Sequence, residues 1–131
     1  METIAYPGSV TLLALLLYLL TMMNVGRNRG KHGIEAPATT GNIDFECAYR
    51  TQMNTLEHMF FFLPSMWLFA YTVSAEWACW LGLIWVAGRT QYAISYITEP
   101  KKRAPGLIIA MITQVTLFVG AAIGVGKLFL S

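Results

Sequence analysis

The stretch at residues 49–71, YRTQMNTLEHMFFFLPSMWLFAY, decides the fold class of this chain. Its second half is apolar enough for the interior of a membrane, whereas its first turns carry Arg50, Asn54 and Glu57. Apolar runs of this kind recur along a chain of 131 residues that is 56% apolar and 12% charged. The charged share is about half that of a typical soluble domain. The sequence therefore predicts an all-α integral membrane protein.

Four segments are long enough to cross a hydrocarbon core of about 30 Å, which takes about 20 residues of α-helix. We predict them at about 6–25, 45–72, 76–96 and 105–130, within one membrane domain, 1–131. The first segment follows no Lys or Arg and precedes no small-residue cleavage site. We therefore expect a retained helix rather than a signal peptide.

The basic residues predict the orientation of these helices. Eight of the nine Lys and Arg residues lie on the side of the two loops that follow the first and third segments. Loops rich in Lys and Arg usually face the cytoplasm. The sequence therefore predicts an antiparallel four-transmembrane-helix bundle with both loops in the cytoplasm and both termini outside.

Polar residues of the second segment form a stripe at its cytoplasmic end. At about 100° per residue, Arg50, Asn54 and Glu57 lie within about 60° of one another, and His58 lies beside them. Gln52 points roughly 160° away from Arg50. Polar groups inside a membrane usually face a cavity or the protein interior. The stripe therefore predicts a polar site between helices, although an Arg–Glu pair that only fixes helix packing is an alternative.

The third segment carries a matching set at the same end. Arg89, Tyr92 and Tyr96 are spaced i, i+3 and i+7 and share one helix face, and Arg103 follows in the next loop. Tyr and Arg also populate membrane interfaces, so an interfacial belt is the other interpretation of this set. Together with the stripe, these groups suit an elongated polar ligand that carries carboxylates and an amine. Neither histidine has Cys, His or carboxylate partners at ligand spacing, so we expect no metal.

Two motifs resemble those of a known family. The segment GNIDFECAYRTQMNTLE, residues 41–57, is similar to the signature of the MAPEG family, the membrane-associated proteins in eicosanoid and glutathione metabolism. The segment GRTQYAISY, residues 88–96, with Arg103 seven residues after its last Tyr, is similar to the second conserved region of that family. The two motifs stand in register, and the resemblance covers essentially the whole chain.

The resemblance implies a homotrimer that binds glutathione, as substrate, between subunits on the cytoplasmic side. By position in the motifs, it implies that one subunit holds the tripeptide with the stripe and the third helix, namely Arg50, Asn54, Glu57, Tyr92 and Tyr96. We include the adjacent His58 and Arg89 in this glutathione-binding set. Gln52 matches a position that reaches in from the neighbouring subunit. Arg29 is the best match for a further contact, with Arg27 or Lys31 as alternatives, and Arg103 matches the arginine that activates the thiol.

Departures from the family pattern refine the expected activity. Cys47-Ala48 stand where Arg-Val is common, Thr55 where Cys is common, and His58 where the leukotriene-C synthase branch has Tyr. These departures favour the microsomal glutathione transferase-like members. We expect a detoxifying glutathione transferase, with glutathione peroxidase activity as a further possibility, that acts on lipophilic electrophiles or lipid hydroperoxides.

Two other functions are alternatives to this one: a non-catalytic lipid-binding member of the family, and a small multidrug exporter. We expect contact with membrane lipids and none with nucleic acid. The expected location is a bacterial inner membrane, or an endomembrane in a eukaryotic source.

Overall fold

The computed structural model describes residues 2–131 and is built from four long α-helices. They are α1 (Ala5–His32), α2 (Ile43–Thr72), α3 (Ala75–Thr98) and α4 (Ala104–Leu130). Short 3-10 helices lie at Glu2–Ile4 and Pro100–Lys102. The described residues contain no strand, which confirms the all-α prediction.

Capping residues account for where α2 and α3 begin. The Asn42 side chain accepts hydrogen bonds from the backbone N–H groups of Asp44 and Phe45, at 2.9 and 3.2 Å. The Ser74 hydroxyl accepts one from the N–H of Trp77, at 3.2 Å. Such side chains satisfy backbone donors that have no partner within the helix. Both helices therefore start within two residues of the positions predicted from the apolar pattern.

The first helix is longer than the sequence analysis predicted. It continues from residue 25 to His32 and ends at Gly33, whose φ of 64° provides a left-handed C-cap. The prediction ended this helix where the apolar residues end. Backbone hydrogen bonds do not depend on side-chain hydropathy, however, so a helix can continue through a polar segment that contains no Pro. Arg27 and Arg29 consequently lie on α1 and not in a loop.

The two central helices, α2 and α3, each pack against both α1 and α4. In the core, the ring of Phe62 lies parallel to that of Trp85, with centroids 3.9 Å apart. Near the loop that joins α3 to α4, a Cβ atom at Gly88 would lie 2.9 Å from the carbonyl oxygen of Gly106. The absence of side chains lets the two backbones meet there. This contact places the loop that carries Arg103 beside the end of α3.

Much of the outer surface is apolar. Large side chains such as Leu12 on α1, Phe60 on α2 and Ile112 on α4 are 70%, 82% and 63% exposed. The helix α1 and the segment Pro100–Leu130 are long and apolar enough to cross a membrane. Exposed apolar surface of this extent is typical of proteins that contact lipid. The crossing of the bilayer by α2 and α3 stays a prediction.

Candidate functional site

Four side chains form a continuous row at one end of the bundle, which we call the Arg–Tyr row: Arg89, Tyr92, Tyr96 and Arg103. The Arg89 guanidinium carbon lies 4.2 Å from the centroid of the Tyr92 ring. The Tyr92 and Tyr96 rings meet edge to face, with centroids 5.5 Å apart. The Arg103 guanidinium carbon lies 4.8 Å from the Tyr96 centroid. Cation–π contacts therefore hold a guanidinium at each end of two phenols.

Arg89, at the inner end of the row, is fully buried. Its Nη2 donates a hydrogen bond to the Thr55 hydroxyl at 2.9 Å. Its Nε and Nη1 are buried without any hydrogen-bond partner. Among the side chains of residues 3–131, salt bridges are limited to Lys102–Glu99, at 3.0 Å, so none of these carboxylates neutralises Arg89. Buried donors without partners are costly, and a buried charge is more so. The structure thus presents a cation with unused donors.

The stripe on α2 lies close to this row. Arg50 and Glu57 are exposed, and Asn54 is half-buried. Thr55, the residue after Asn54, accepts the hydrogen bond from Arg89 Nη2 at 2.9 Å. The Asn54 Oδ1 atom is buried without a hydrogen-bond donor. No ion pair joins Arg50 to Glu57 in the described chain, so the alternative of a packing-only pair has no support here.

Gln52 and Arg29 lie away from the row. Gln52 Nε2 donates to the Tyr18 hydroxyl of α1 at 3.1 Å. Arg29 Nη1 donates to the Ala38 carbonyl at 2.9 Å, and the guanidinium lies 4.8 Å from the Phe45 ring centroid. A single chain therefore does not bring these two side chains to the row. Their contribution to a neighbouring subunit's site stays a prediction.

His58 turns from the stripe towards α4 and joins a hydrogen-bonded group that we call the His58 network: His58, Gln114 and Trp85. Gln114 Nε2 lies 3.1 Å from His58 Nδ1. The indole N–H of Trp85 donates to Gln114 Oε1 at 2.9 Å. Sequence reasoning missed Gln114 and Trp85. An amide within the apolar run of α4 was the available signal, since buried polar groups in membrane helices need partners.

A cavity of about 370 Å³, the α2–α4 cavity, opens beside this network. It is lined by Glu57, His58, Phe61, Met111, Gln114 and Val115. Phe61 also lines a larger apolar groove of about 440 Å³ that continues between the same two helices. A polar end and an apolar extension therefore follow one another along the same helix pair.

Comparison with protein families matches the MAPEG family over residues 8–123. The chain belongs to the MAPEG family. This confirms the family assignment made from the two motifs. Together with the two apolar helices, it indicates that this MAPEG protein is a membrane protein.

Several curated relatives of this MAPEG protein cover most of its length. It is 44% identical to the uncharacterized protein sll1147 of Synechocystis sp., over 92% of this chain and 88% of the relative. It is 35% identical to microsomal glutathione S-transferase 2 of Mus musculus, over 82% of this chain and 73% of the relative. It is 31% identical to leukotriene C4 synthase of Cavia porcellus, over 78% of this chain and 68% of the relative.

Metal-ligating side chains do not cluster in this MAPEG protein. Among the residues that the structure describes, no group of three or more His, Cys, Asp or Glu side chains is placed to hold a metal ion. The polar chemistry available near the row consists of guanidiniums, phenols, one amide and one carboxylate.

Proposed function

We propose that this MAPEG protein is a membrane-bound glutathione transferase that also reduces lipid hydroperoxides. The observation that carries the proposal is the Arg–Tyr row with its unused buried donors on Arg89, beside the unused buried acceptor of Asn54. A ligand with both acceptors and donors would satisfy both. Relatives named microsomal glutathione S-transferase 2, at 31–35% identity, support glutathione as that ligand.

The functional groups of glutathione match those of the proposed site. Glutathione carries two carboxylates, one ammonium group, two peptide amides and a thiol. Guanidiniums bind carboxylates through paired, charge-assisted hydrogen bonds. Arg50 at the surface and Arg89 within the row offer such donors. Glu57 is free of ion pairs within the described chain and suits the ammonium group, and Asn54 Oδ1 suits an amide N–H.

The proposal assigns activation of the thiol to Arg103. Its Nη1 donates to the Pro100 carbonyl at 2.6 Å, and its guanidinium is held against Tyr96. A guanidinium has five N–H donors, so others stay available for a sulfur atom. A free thiol is mostly protonated at neutral pH, whereas the thiolate is the nucleophile. Lowering the thiol pKa by two units takes about 2.7 kcal/mol, which lies within the range of about 1.5–3 kcal/mol for one hydrogen bond to a charged group.

The α2–α4 cavity suits the lipophilic electrophile. Its polar end is formed by Glu57 and His58, next to the stripe, and Phe61 leads into the apolar groove. A reactive group would lie at the polar end, with its hydrocarbon tail in the groove. Burial of apolar surface stabilises such a tail by about 25 cal/mol per Å².

The proposal extends to a homotrimer with its sites facing the cytoplasm of a multi-pass protein. Gln52 and Arg29 contact Tyr18 and Ala38 of their own chain and not the row, and the proposal assigns both side chains to the site of a neighbouring subunit. Chemical cross-linking of the detergent-solubilised protein tests this assembly: a limiting trimer band supports it, and a monomer at all cross-linker concentrations contradicts it.

Turnover by the purified protein tests the activity. Glutathione is supplied with an aryl halide or with a lipid hydroperoxide, and Arg103→Ala is compared with Lys101→Ala, a matched removal of an exposed cation in the same loop. We expect Arg103→Ala to lower kcat by about 100-fold or more, which is typical for loss of a hydrogen-bond donor that stabilises negative charge in the transition state. Lys101→Ala should have little effect on kcat.

Thiolate absorbance at about 240 nm provides a direct readout of thiol activation. It should appear when glutathione is added to the wild type and be weaker in Arg103→Ala. Turnover and absorbance that are the same in Arg103→Ala and the wild type would remove Arg103 from the mechanism. A wild type that develops neither would favour the non-catalytic lipid-binding alternative.

A further inference from the structure

His58 lies at the polar end of the α2–α4 cavity and is connected to the buried core through Gln114 and Trp85. We propose that His58 donates a hydrogen bond to an oxygen atom of the electrophile and thereby makes the enzyme prefer electrophiles whose reaction leaves negative charge on oxygen. This proposal rests on the glutathione transferase function proposed above. It assigns His58 to the electrophile and not to glutathione.

Trp85 determines the orientation of the Gln114 amide. An indole N–H can only donate a hydrogen bond. Trp85 Nε1 lies 2.9 Å from Gln114 Oε1, so the amide must present its oxygen to the indole. The Trp85 ring is fully buried and is held by the parallel ring of Phe62. A flipped amide would leave the buried indole N–H unpaired, at a cost of about 1–3 kcal/mol.

Gln114 in turn determines the tautomer of His58. Its Nε2, which can only donate, lies 3.1 Å from His58 Nδ1. His58 Nδ1 therefore accepts, and the neutral ring carries its proton on Nε2. In the opposite arrangement, His58 Nδ1 would donate to Gln114 Oε1 over 3.3 Å. The amide hydrogens would then have only the Met111 sulfur, at 3.6 Å, as a partner. The arrangement in which Gln114 donates to His58 gives the amide N–H a nitrogen acceptor at 3.1 Å, so it satisfies more hydrogen-bonding groups and over a shorter distance.

The remaining N–H of His58 is available to a ligand. Among the side chains of residues 3–131, His58 makes its hydrogen bonds through Nδ1 and none through Nε2, and His58 lines the α2–α4 cavity. The other walls include the apolar side chains of Phe61, Met111 and Val115. Glu57 and Gln114 supply the polar part of the lining. A hydrogen-bond donor held in place by the protein stabilises developing negative charge more strongly than the same donor in water, because it needs no reorientation during the reaction.

The electron flow of each reaction decides whether such a donor helps. With a hydroperoxide, the thiolate sulfur attacks the outer oxygen, a S–O bond forms and the O–O bond breaks. The alkoxide leaves with the electron pair and takes a proton from water, and a second glutathione converts the sulfenic acid to disulfide and water. With an enone, a S–C bond forms and the electron pair moves to the carbonyl oxygen, which then takes a proton from water.

In both reactions negative charge develops on oxygen, and His58 stabilises it without losing its own proton. A neutral imidazole acts in this way in other enzymes. With an iodoalkane, a S–C bond forms while the C–I bond breaks, and the charge leaves on iodide, a poor hydrogen-bond acceptor. The donor therefore favours the oxygen-bearing electrophiles over the iodoalkane.

The test compares three electrophiles of matched chain length: a hydroperoxide, an enone and a 1-iodoalkane. In His58→Phe we expect kcat/KM to fall about 100-fold for the two oxygen-bearing electrophiles and to change less than about threefold for the iodoalkane. His58→Gln keeps an N–H donor and should restore much of the loss. Met111→Leu, a change of shape in the same cavity, should affect all three alike.

A spectroscopic measurement tests the tautomer independently of turnover. The chain has only two histidines, so ¹⁵N-histidine labelling gives assignable ring signals. We expect His58 of the wild type to carry its proton on Nε2 and Gln114→Leu to show a mixture of tautomers. In Gln114→Leu the hydroperoxide rate should fall several-fold more than the iodoalkane rate.

Three results would overturn the role of His58 while leaving the proposed function intact. One is an equal loss for all three electrophiles in His58→Phe, and another is no loss for any. The third is a wild-type His58 protonated on Nδ1. Failure of the wild type to convert any electrophile with glutathione would overturn the proposed function itself.

Discussion

Replacing Arg89 with Met separates folding from ligand binding, and we expect Arg89→Met to be about as stable as the ligand-free wild type. The exchange removes two buried donors without partners, each costing about 1–3 kcal/mol. It also removes the hydrogen bond to Thr55, worth about 1.5–3 kcal/mol for a charged donor, and the cation–π contact with Tyr92, worth about 0.5–2 kcal/mol. The Thr55 hydroxyl keeps its own acceptor, the Thr51 carbonyl at 2.7 Å. The gain from removing the unpaired donors and the loss of the two contacts should therefore leave the free energy of unfolding within about 2 kcal/mol of the ligand-free wild type.

Glutathione should distinguish the two proteins. At a concentration of 100 times Kd, a ligand stabilises the folded wild type by about 2.7 kcal/mol. Loss of a charge-assisted contact worth about 1.5–3 kcal/mol raises Kd by about 10- to 100-fold, so Arg89→Met should keep only about 0.4–1.4 kcal/mol of this stabilisation at the same concentration. Thermal unfolding in detergent, followed by Trp fluorescence with and without glutathione, measures both quantities.

Thr55→Val is the control for this reasoning. It removes the one hydrogen-bond partner of Arg89, so it should destabilise the wild type by about 1–3 kcal/mol. In the Arg89→Met background the same change should cost much less, because no cation is left unpaired. A loss of more than about 3 kcal/mol in ligand-free Arg89→Met would refute the argument, since it would mean that the Arg89 donors are satisfied without glutathione.

Two further predictions concern packing. A Cβ atom at Gly106 would overlap the backbone of α3, so Gly106→Ala should lower Tm strongly, whereas Gly126→Ala, which meets nothing within 4 Å, should leave Tm unchanged or raise it. Equal Tm values for the two variants would contradict the close contact of α3 with α4. Phe62→Ala removes a fully buried ring stacked on Trp85 and should destabilise by about 3–5 kcal/mol, whereas Phe60→Ala removes a ring that is 82% exposed and should cost little. Similar unfolding free energies for these two variants would contradict the assignment of the core.

Helix positions were predictable where the sequence carries a local signal. Asn42 and Ser74 cap α2 and α3 within two residues of the expected starts. The i, i+3, i+7 spacing placed Arg89, Tyr92 and Tyr96 on one face, and the structure shows them in one row. Local periodicity and capping depend on residues within a few positions of each other, so one sequence suffices to read them.

The end of α1 was not predictable from the apolar pattern. The prediction followed hydropathy and ended near residue 25, but the helix continues to His32 because backbone hydrogen bonds do not depend on side-chain hydropathy and this segment contains no Pro. Hydropathy predicts where a helix meets lipid, and the left-handed Gly33 decides where this helix ends.

The sequence by itself determined the apolar composition that is typical of a membrane protein, the four helices and the family. It also determined which polar residues lie near the end of the bundle that carries the Arg–Tyr row. Only the tertiary structure decided which of those residues meet. Helical spacing put His58 beside Glu57, yet its ring nitrogen contacts Gln114, 56 positions away. It put Gln52 on another face of α2, and packing supplied Tyr18 as its partner. The physical reason is that a buried polar group takes its hydrogen-bond partner from whichever helix packs against it, and that neighbour is distant in sequence.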